Sequence, residues 1–174
     1  MAGDGRRDDT GTGRRHNRAS ITTIGGRSDV ATLNDLVRAR LAAPNFWHLA
    51  TVNPDGSPQV TPMWVDLEGD LVMFNTALGR VKEENLRRDP RVSLSCVDAQ
   101  NPYDRVEIRG RVVEFVVGEE AEEAMDRLAR KYVGTERYEW RVPGERRVMM
   151  LVEPTKVRHV VGVEPFRPGV LDDQ

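Results

Sequence analysis

Short β-type segments separated by tight turns dominate this chain of 174 residues, and they restrict the folds open to it. The clearest turn is Asn53–Ser57, where proline, aspartate and glycine stand in succession between two apolar segments. Proline fixes φ, aspartate bonds to the backbone ahead of it and glycine tolerates positive φ, so this combination favours reversal of the chain. The turn predicts a hairpin of Phe46–Val52 with Pro58–Leu67. A second tight turn, Glu68–Asp70, predicts an antiparallel meander that continues into Leu71–Phe74.

Three helices and four more strands complete the predicted order of elements. The first helix is capped by Thr32 and ended by Pro44, the second begins at Gly79–Lys82 and runs to about Arg88, and the third spans Glu119–Val133. The four strands are predicted at Arg91–Val97, at Arg105–Phe115, and at Arg147–Glu153 and Lys156–Val161, the last two joined by Pro154–Thr155. About seven strands joined by turns this short predict a closed or nearly closed antiparallel barrel with helices packed outside it, in a single α+β domain.

Helical spacing also predicts which residues are buried. The predicted buried stripes are Leu33, Leu36, Val37 and Leu41 in the first helix and Ala121, Met125, Leu128 and Tyr132 in the third. Gly134 is the expected C′ residue of the third helix, because glycine adopts the left-handed conformation without strain. Cys96, the only cysteine, is expected at a buried strand position.

The strand at Pro58–Leu67 has features of a sheet edge. Gln59 and Thr61 point to one side and Val60 to the other, because side chains alternate along a strand. Pro58 and Pro62 lack the N–H group that a sheet ladder requires, so part of this strand is expected at an edge or at a bulge. An edge that offers glutamine, threonine and backbone groups is a place where a flat polar ligand docks.

Composition limits the classes of function. We expect residues 1–28 to be a disordered tail because they contain almost no large apolar groups, residues 29–163 to form the domain, and residues 164–174 to be frayed. A net charge of −2 does not fit a nucleic-acid-binding domain. No apolar run is long enough to span a membrane, and a single cysteine fits the reducing cytoplasm.

Familiar catalytic motifs are missing from the sequence. The three histidines are far apart, and His48 and His159 are expected to be neutral core or interface residues. There is no CxxC, HExxH, GxSxG, Walker or GxGxxG pattern, which leaves no motif for a metal site, a nucleophile elbow or a Rossmann dinucleotide site. Any enzymatic chemistry is therefore expected to come from a bound cofactor.

An anion site is expected at the start of the second helix. Gly79, Arg80 and Lys82 stand where the first N–H groups of the helix have no internal partner. Arginine offers a planar fork that fits phosphate, and lysine adds a mobile charge. The alternative from the residues alone is a solvated helix start whose cations face water.

From about Phe46 to His159 the chain resembles the split-barrel flavin-binding superfamily that includes pyridoxamine 5′-phosphate oxidase. It is most similar to the actinobacterial flavin/deazaflavin oxidoreductases of the B type, a class associated with coenzyme F420. The segments that carry the resemblance are ATVNPDGSPQVTPMWVDLEGD, GRVKEENLRRDPRVSL and NPYDRVEIRGRVVE. Their order and spacing are more specific than any one of them alone.

The resemblance implies a homodimer with two cofactors at the subunit interface. It implies that Arg80 and Lys82 hold the cofactor phosphate with Asn75 and Thr76 beside it, and that Tyr103 is presented to the cofactor of the partner subunit. It also implies that the ring system is lined by Gln59, Val60, Thr61 and Pro62. Tyr103 has an alternative reading as a loop aromatic that caps the barrel. Arg87 and Arg88 are candidates for the oligoglutamate tail of F420, although solvated helix residues are the simpler explanation.

The implied activity is hydride transfer between F420 and an unsaturated organic acceptor, with the proton taken from water. No side chain stands out as an acid or base. An FMN-binding oxidoreductase of the pyridoxamine-phosphate-oxidase type and a non-catalytic flavin or haem carrier are the alternatives, together with a structural dimer whose cleft is empty. The C-terminal arginine–histidine substrate segment of that oxidase is not found here, which weakens a pyridoxal-phosphate reading.

Overall fold

The computed structural model describes residues 30–161. The predicted tail at residues 1–28 and the predicted frayed end at 164–174 lie outside this range. The elements are, in chain order, α1 (Asp35–Ala42), β1 (Trp47–Val52), β2 (Pro58–Met63), β3 (Val65–Glu68), β4 (Leu71–Ala77), α2 (Val81–Arg88), β5 (Arg91–Val97), β6 (Arg105–Val117), α3 (Glu119–Val133) and β7 (Arg147–Val160).

The seven strands form one antiparallel sheet in the order β2-β1-β5-β6-β7-β4-β3. Its two edge strands, β2 and β3, are consecutive in the chain and are separated only by Trp64. Neighbouring strands lie about 4.8 Å apart, so a flat sheet of this size would hold its edges far beyond the reach of one residue. The sheet therefore curls until its edges meet. This is the split β-barrel with flanking helices, the α+β fold that the sequence predicts.

The inside of the curl holds the larger core. Trp47, Leu49, Phe74, Ile108 and Met150 are fully buried there, and α1 and α2 add apolar residues at its margins. The stripe of α3 packs on the other side of β4 and β7, against Met73, Met149 and Leu151. Side chains that alternate along β4 and β7 thus enter two separate cores, as the twofold period of a strand requires.

The predicted meander is wrong at its centre. The run Pro58–Leu67 is two strands: β2 pairs only with β1, and β3 pairs only with β4. The sequence gives no sign of the break at Trp64. Inward-facing and outward-facing side chains continue to alternate from β2 into β3, although the two strands pair with different neighbours. The edge position of β2 is as predicted from its prolines.

Two other boundaries also differ from the predictions. The last two predicted strands are one continuous strand, β7, because Pro154 stands opposite Gly110 at a register shift in the β6–β7 ladder, where no ladder N–H is needed. β4 also extends through Asn75 and Thr76, which the sequence places beyond the strand; both side chains are buried.

The first helix starts later than predicted. Asn34, rather than Thr32, is its N-cap, and its Oδ1 accepts a hydrogen bond of 2.9 Å from the Val37 N–H. Leu36 faces outward with 64% of its surface exposed, whereas Val37 and Leu41 are buried. In contrast, the bounds of β5 and α3 agree with the sequence, and Gly134 ends α3 with φ of 76°.

The last turn of α3 secures the place where the sheet closes. Lys131 Nζ donates to the backbone oxygens of Leu41 at 2.5 Å and Val65 at 2.7 Å. The Tyr132 hydroxyl accepts from the Val65 N–H at 3.0 Å and donates to the Asn45 oxygen at 2.7 Å. Val65 is the first residue of β3, so α3 satisfies the backbone where β2 gives way to β3.

On the side of the sheet opposite the larger core, no helix of residues 30–161 covers β1, β2, β5 or the first half of β6, whereas α3 covers the second half of β6, where Val116 packs against it. The uncovered part carries an open groove of about 500 Å³ bounded by Ala50, Pro58 and Ser93 and by three arginines, Arg91, Arg109 and Arg111. We call this surface the open sheet face.

Candidate functional site

The start of α2 keeps two backbone donors available. The Gly79 N–H donates to Glu83 Oε2 at 3.0 Å, and the N–H groups of Glu83 and Glu84 donate to the Arg80 oxygen. No acceptor within residues 30–161 takes the N–H groups of Val81 and Lys82, and Arg80 makes no side-chain cap. These donors and the helix dipole favour an anion at this point.

The two predicted phosphate ligands differ in their surroundings. Arg80 is mostly exposed and pairs with Glu145, its Nη2 3.1 Å from Oε2. Lys82 is half-buried, and burial, followed by the positive charge of Arg80, lowers its pKa from the usual 10.5. A lowered lysine pKa means that its ammonium form is destabilised relative to an exposed lysine. A bound anion would reverse that effect, so the site fits a phosphate group.

Glu145 is a site residue that the sequence analysis missed. Besides Arg80 it faces Arg147, whose Nη2 lies 2.7 Å from Oε1, a close ion pair whose angle falls short of a hydrogen bond. The segment before β7 thereby reaches the start of α2. No sequence signal pointed to this contact, because 65 positions separate Glu145 from Arg80.

Gln59 of β2 is linked to α2 through β1. Its Oε1 accepts from the Thr51 hydroxyl at 2.8 Å, and Thr51 Oγ1 in turn accepts from Asn85 Nδ2 at 3.0 Å. Asn85 Nδ2 also lies 2.9 Å from Asn53 Oδ1. Because Gln59 uses its oxygen in this network, its amide N–H groups are the part that remains for a ligand. Thr51 and Asn85 are buried polar residues that the sequence analysis did not single out.

Two of the predicted site residues contain buried oxygens that lack a partner within the described chain, Thr61 Oγ1 and Asn75 Oδ1. Buried polar atoms are almost always hydrogen-bonded, so each exception requires an explanation. Val60 and Pro62, which alternate with Thr61, are exposed. The edge strand thus presents both an apolar outer side and an unsatisfied inner hydroxyl.

Asn75 and Thr76 do not face the same way. They are adjacent on β4, so their side chains point to opposite sides of the sheet. Asn75 faces α3, where its Nδ2 donates to the Ala121 oxygen at 2.7 Å. Thr76 is buried on the side of the larger core, where the chain leads into α2. A single phosphate group therefore cannot contact both side chains in this arrangement.

Tyr103 lies in a well-braced loop between β5 and β6. Asp98 accepts from the N–H groups of Gln100 and Asn101, which lower its pKa, and also pairs with Arg40 at 2.9 Å. Tyr103 is 53% exposed. The loop thus holds an aromatic ring at the surface, near the end of the open sheet face.

The arginines at the end of α2 are used within the protein. Arg87 pairs with Glu83 and lies over the Phe115 ring, 4.6 Å from its centroid. Arg88 donates to the Val52 oxygen and to Asn85 Oδ1. Neither side chain is a freely solvated cation.

The remaining candidate groups do not form a catalytic set. His48 is exposed and lies outside the core, whereas the His159 side chain is largely buried, with 14% of its surface exposed and Nε2 3.0 Å from Asp104 Oδ1. Cys96 is buried as predicted, and burial raises the pKa of its thiol. The described residues contain no cluster of three metal-binding side chains, and none of their helices is long and apolar enough to cross a membrane.

Comparisons with known proteins place this geometry in a family. The pyridoxamine 5′-phosphate oxidase family model matches residues 33–161. A solved F420 reductase is 34% identical, with a TM-score of 0.61, and the match covers 70% of this chain and 94% of that one. A conserved hypothetical protein from Mycobacterium tuberculosis is 25% identical, covering 78% and 89%, with a TM-score of 0.58.

A more distant structure supports the fold alone. It is a putative pyridoxamine 5′-phosphate oxidase from Listeria innocua, 19% identical with a TM-score of 0.54, and the match covers 72% of this chain and 95% of that one. A search of curated proteins returns no match. The family model and the 34% identity over most of both chains lead to one conclusion: this chain belongs to the pyridoxamine 5′-phosphate oxidase family of split-barrel proteins.

Proposed function

We propose that this protein is an oxidoreductase that binds coenzyme F420 and catalyses hydride transfer between the deazaflavin and an unsaturated organic acceptor. The observation that carries the proposal is the start of α2, where the half-buried Lys82, Arg80 and two available N–H groups converge. An oxidoreductase of this fold is supported by the family, and the choice of F420 over FMN rests on the similarity to the F420 reductase.

In this proposal the phosphate lies at the start of α2, held by Arg80 and Lys82 and reached by Thr76. The ring system lies along β2, where Gln59, Thr61 and the backbone of the free edge provide polar contacts and Val60 and Pro62 provide apolar ones. Thr61 Oγ1 then gains the partner that the protein itself does not provide. When bound, the reduced deazaflavin supplies the hydride.

The protein contributes position and charge to the reaction. Fixing the acceptor against the ring replaces a bimolecular encounter with an oriented contact. No acid or base lies on β2, and we assign the proton to water.

We further propose that two copies associate through the open sheet face and that each presents Tyr103 to the cofactor of the other. The exposed Val60 and Val97 support this face as an interface, because apolar side chains on an uncovered sheet favour association. Size-exclusion chromatography with light scattering tests it: a monomer at micromolar concentration would contradict the dimer.

The first test is a paired fluorescence titration of the cofactor-free protein with F420 and with FMN. Tight binding of F420 with weak binding of FMN is the expected result. Preference for FMN would identify an FMN-dependent oxidoreductase instead, and binding of both ligands without turnover of any acceptor would favour a carrier. Binding of neither would contradict the proposal.

The second test removes the cations. Arg80→Ala with Lys82→Ala should weaken F420 binding by about 10²- to 10⁴-fold, because two charge-assisted hydrogen bonds contribute about 1.5–3 kcal/mol each. The pair Arg130→Ala and Arg137→Ala, two exposed cations near the end of α3, is the matched control and should leave binding unchanged. Equal binding by both double variants would exclude the start of α2 as the phosphate site.

A further inference from the structure

A cleft next to β2 is separate from the start of α2 and has no role so far. It has a volume of about 200 Å³ and opens between the end of β2, β4 and α3. Its walls are Pro62, Met63, Trp64, Met125, Leu128 and Tyr138. None of these side chains is charged, so an ionic ligand would lose hydration in the cleft without gaining a charged partner from its walls.

The aromatic walls are fixed by their neighbours. Trp64 stacks on Tyr132 with centroids 5.1 Å apart and meets Tyr138 edge-on at 6.2 Å. Tyr138 is held in turn by the guanidinium of Arg147, 4.7 Å from its ring centroid. Rigid aromatic faces and the two methionine thioethers suit a flat, apolar ring.

Asn75 gives this apolar cleft one polar group. The side chain lines the cleft and is 5% exposed, and its Oδ1 has no donor within residues 30–161. Its orientation is fixed, because Nδ2 donates to the Ala121 oxygen and only a donor can face a carbonyl. The cleft therefore contains a buried acceptor that requires an N–H or O–H group.

We propose that this cleft binds an uncharged compound of one or two aromatic rings that carries an N–H or O–H donor, which bonds to Asn75 Oδ1. A cavity of this size holds a small aromatic molecule. Pro62 belongs both to the cleft and to the proposed ring-lining strand. The cleft is thus the acceptor site of the proposed oxidoreductase, a role that rests on the function proposed above.

The test is calorimetric titration of the cofactor-free protein at neutral pH with three naphthalenes. 2-Naphthol carries the donor, 2-methylnaphthalene has the same shape without it, and 2-naphthoate carries a charge. We expect 2-naphthol to bind about tenfold more tightly than 2-methylnaphthalene, because it satisfies a buried acceptor, and 2-naphthoate to bind most weakly. Equal affinity for the first two would overturn the role of Asn75.

Variants locate the binding. Asn75→Leu should reduce the tenfold preference to less than twofold, and Asn45→Leu, at a polar side chain that bonds to Arg40 outside the cleft, should keep it. Tyr138→Ala removes one wall and should weaken both neutral ligands about tenfold; circular dichroism confirms folding. If Asn75→Leu does not fold, the wild-type preference for 2-naphthol over 2-methylnaphthalene tests the need for a donor group, and Tyr138→Ala tests the location of the site. Unchanged affinities in Tyr138→Ala would contradict this location.

A parallel F420 titration separates the two proposals. Binding of F420 without binding of 2-naphthol overturns only the proposal that the cleft binds an aromatic ligand, and leaves the proposed function in place. Binding of 2-naphthol without F420 overturns the proposed function and, with it, the acceptor role of the cleft. In the F420-loaded protein, 2-naphthol should bind without displacing the cofactor; displacement would contradict a separate acceptor site.

Discussion

Lys131→Met tests whether the end of α3 holds the closed sheet together. The Lys131 ammonium bonds to the oxygens of Leu41 and Val65 and lies 3.3 Å from Asp66 Oδ1, with 10% of its side chain exposed. Methionine retains most of the apolar stem and removes the charge. The carbonyl of Leu41 is then left without its donor at the C-terminal end of α1, where a cation also complements the helix dipole.

The expected loss follows from two opposing terms. Two charge-assisted hydrogen bonds contribute about 3–6 kcal/mol together. Desolvation opposes them, since burial lowers the pKa of Lys131 despite the nearby Asp66. We therefore expect a net loss of about 2–3 kcal/mol in the free energy of unfolding, or roughly 4–12 °C in Tm for a chain of this size.

Urea denaturation followed by circular dichroism measures this loss. Arg137→Met is the control because it removes an exposed cation in the loop after α3, and it should change stability by less than about 0.5 kcal/mol. Equal stability of the two variants would refute the reasoning. Because Val65 bonds to both Lys131 and Tyr132, the double variant Lys131→Met with Tyr132→Phe should lose more than the sum of the single changes.

Three further predictions concern the barrel itself. Gly110→Ala should destabilise the fold by about 1–3 kcal/mol, because a Cβ there would lie 2.5 Å from Val152 Cγ1 and 2.6 Å from the Glu153 oxygen; an unchanged Tm would show that β6 and β7 separate at this point. Burial raises the pKa of the Tyr132 hydroxyl to about 12, whereas an exposed tyrosine has a pKa of about 10. Between pH 10 and 12 this hydroxyl is therefore deprotonated in the unfolded chain before it is in the folded protein, and the free energy of unfolding falls as pH rises. Tyr132→Phe should make the free energy of unfolding, measured by denaturation between pH 10 and 12, fall less steeply with pH than in the wild-type protein. An equally steep fall in the variant would contradict the raised pKa of Tyr132. Cys96 should react with a thiol reagent only after unfolding, because burial raises its pKa, and rapid labelling of the native protein would exclude a buried thiol.

Local chemistry decided much of what the sequence predicted. The turn at Asn53–Ser57, the end of the first helix before Pro44 and the αL end at Gly134 each follow from the conformations of single residues, and the structure has all three. The cationic start of α2 was likewise predictable, because Arg80 and Lys82 stand at the first positions of a short amphipathic helix. The roles of the predicted cofactor residues remain predictions.

Contacts between distant segments could not be read from the chain. The pairing of Arg80 with Glu145, the unsatisfied Asn75 oxygen and the link from Gln59 to Asn85 all depend on elements far apart in sequence. No local pattern specifies such contacts.

The sequence by itself determined the three helices, the tight turns and the residues that alternate between core and surface, because those properties depend on residues close together. The predicted number of seven strands agrees with the structure only because one predicted strand is two strands and two predicted strands are one. Only the tertiary structure decided that β2 and β3 form opposite edges of a sheet that closes on itself at Trp64. The physical reason is that the pairing of the strands must bury both sides of β4 and β7 at once, one side in the larger core and the other against α3. That requirement brings α3 to the closing point, where Lys131 and Tyr132 satisfy Val65.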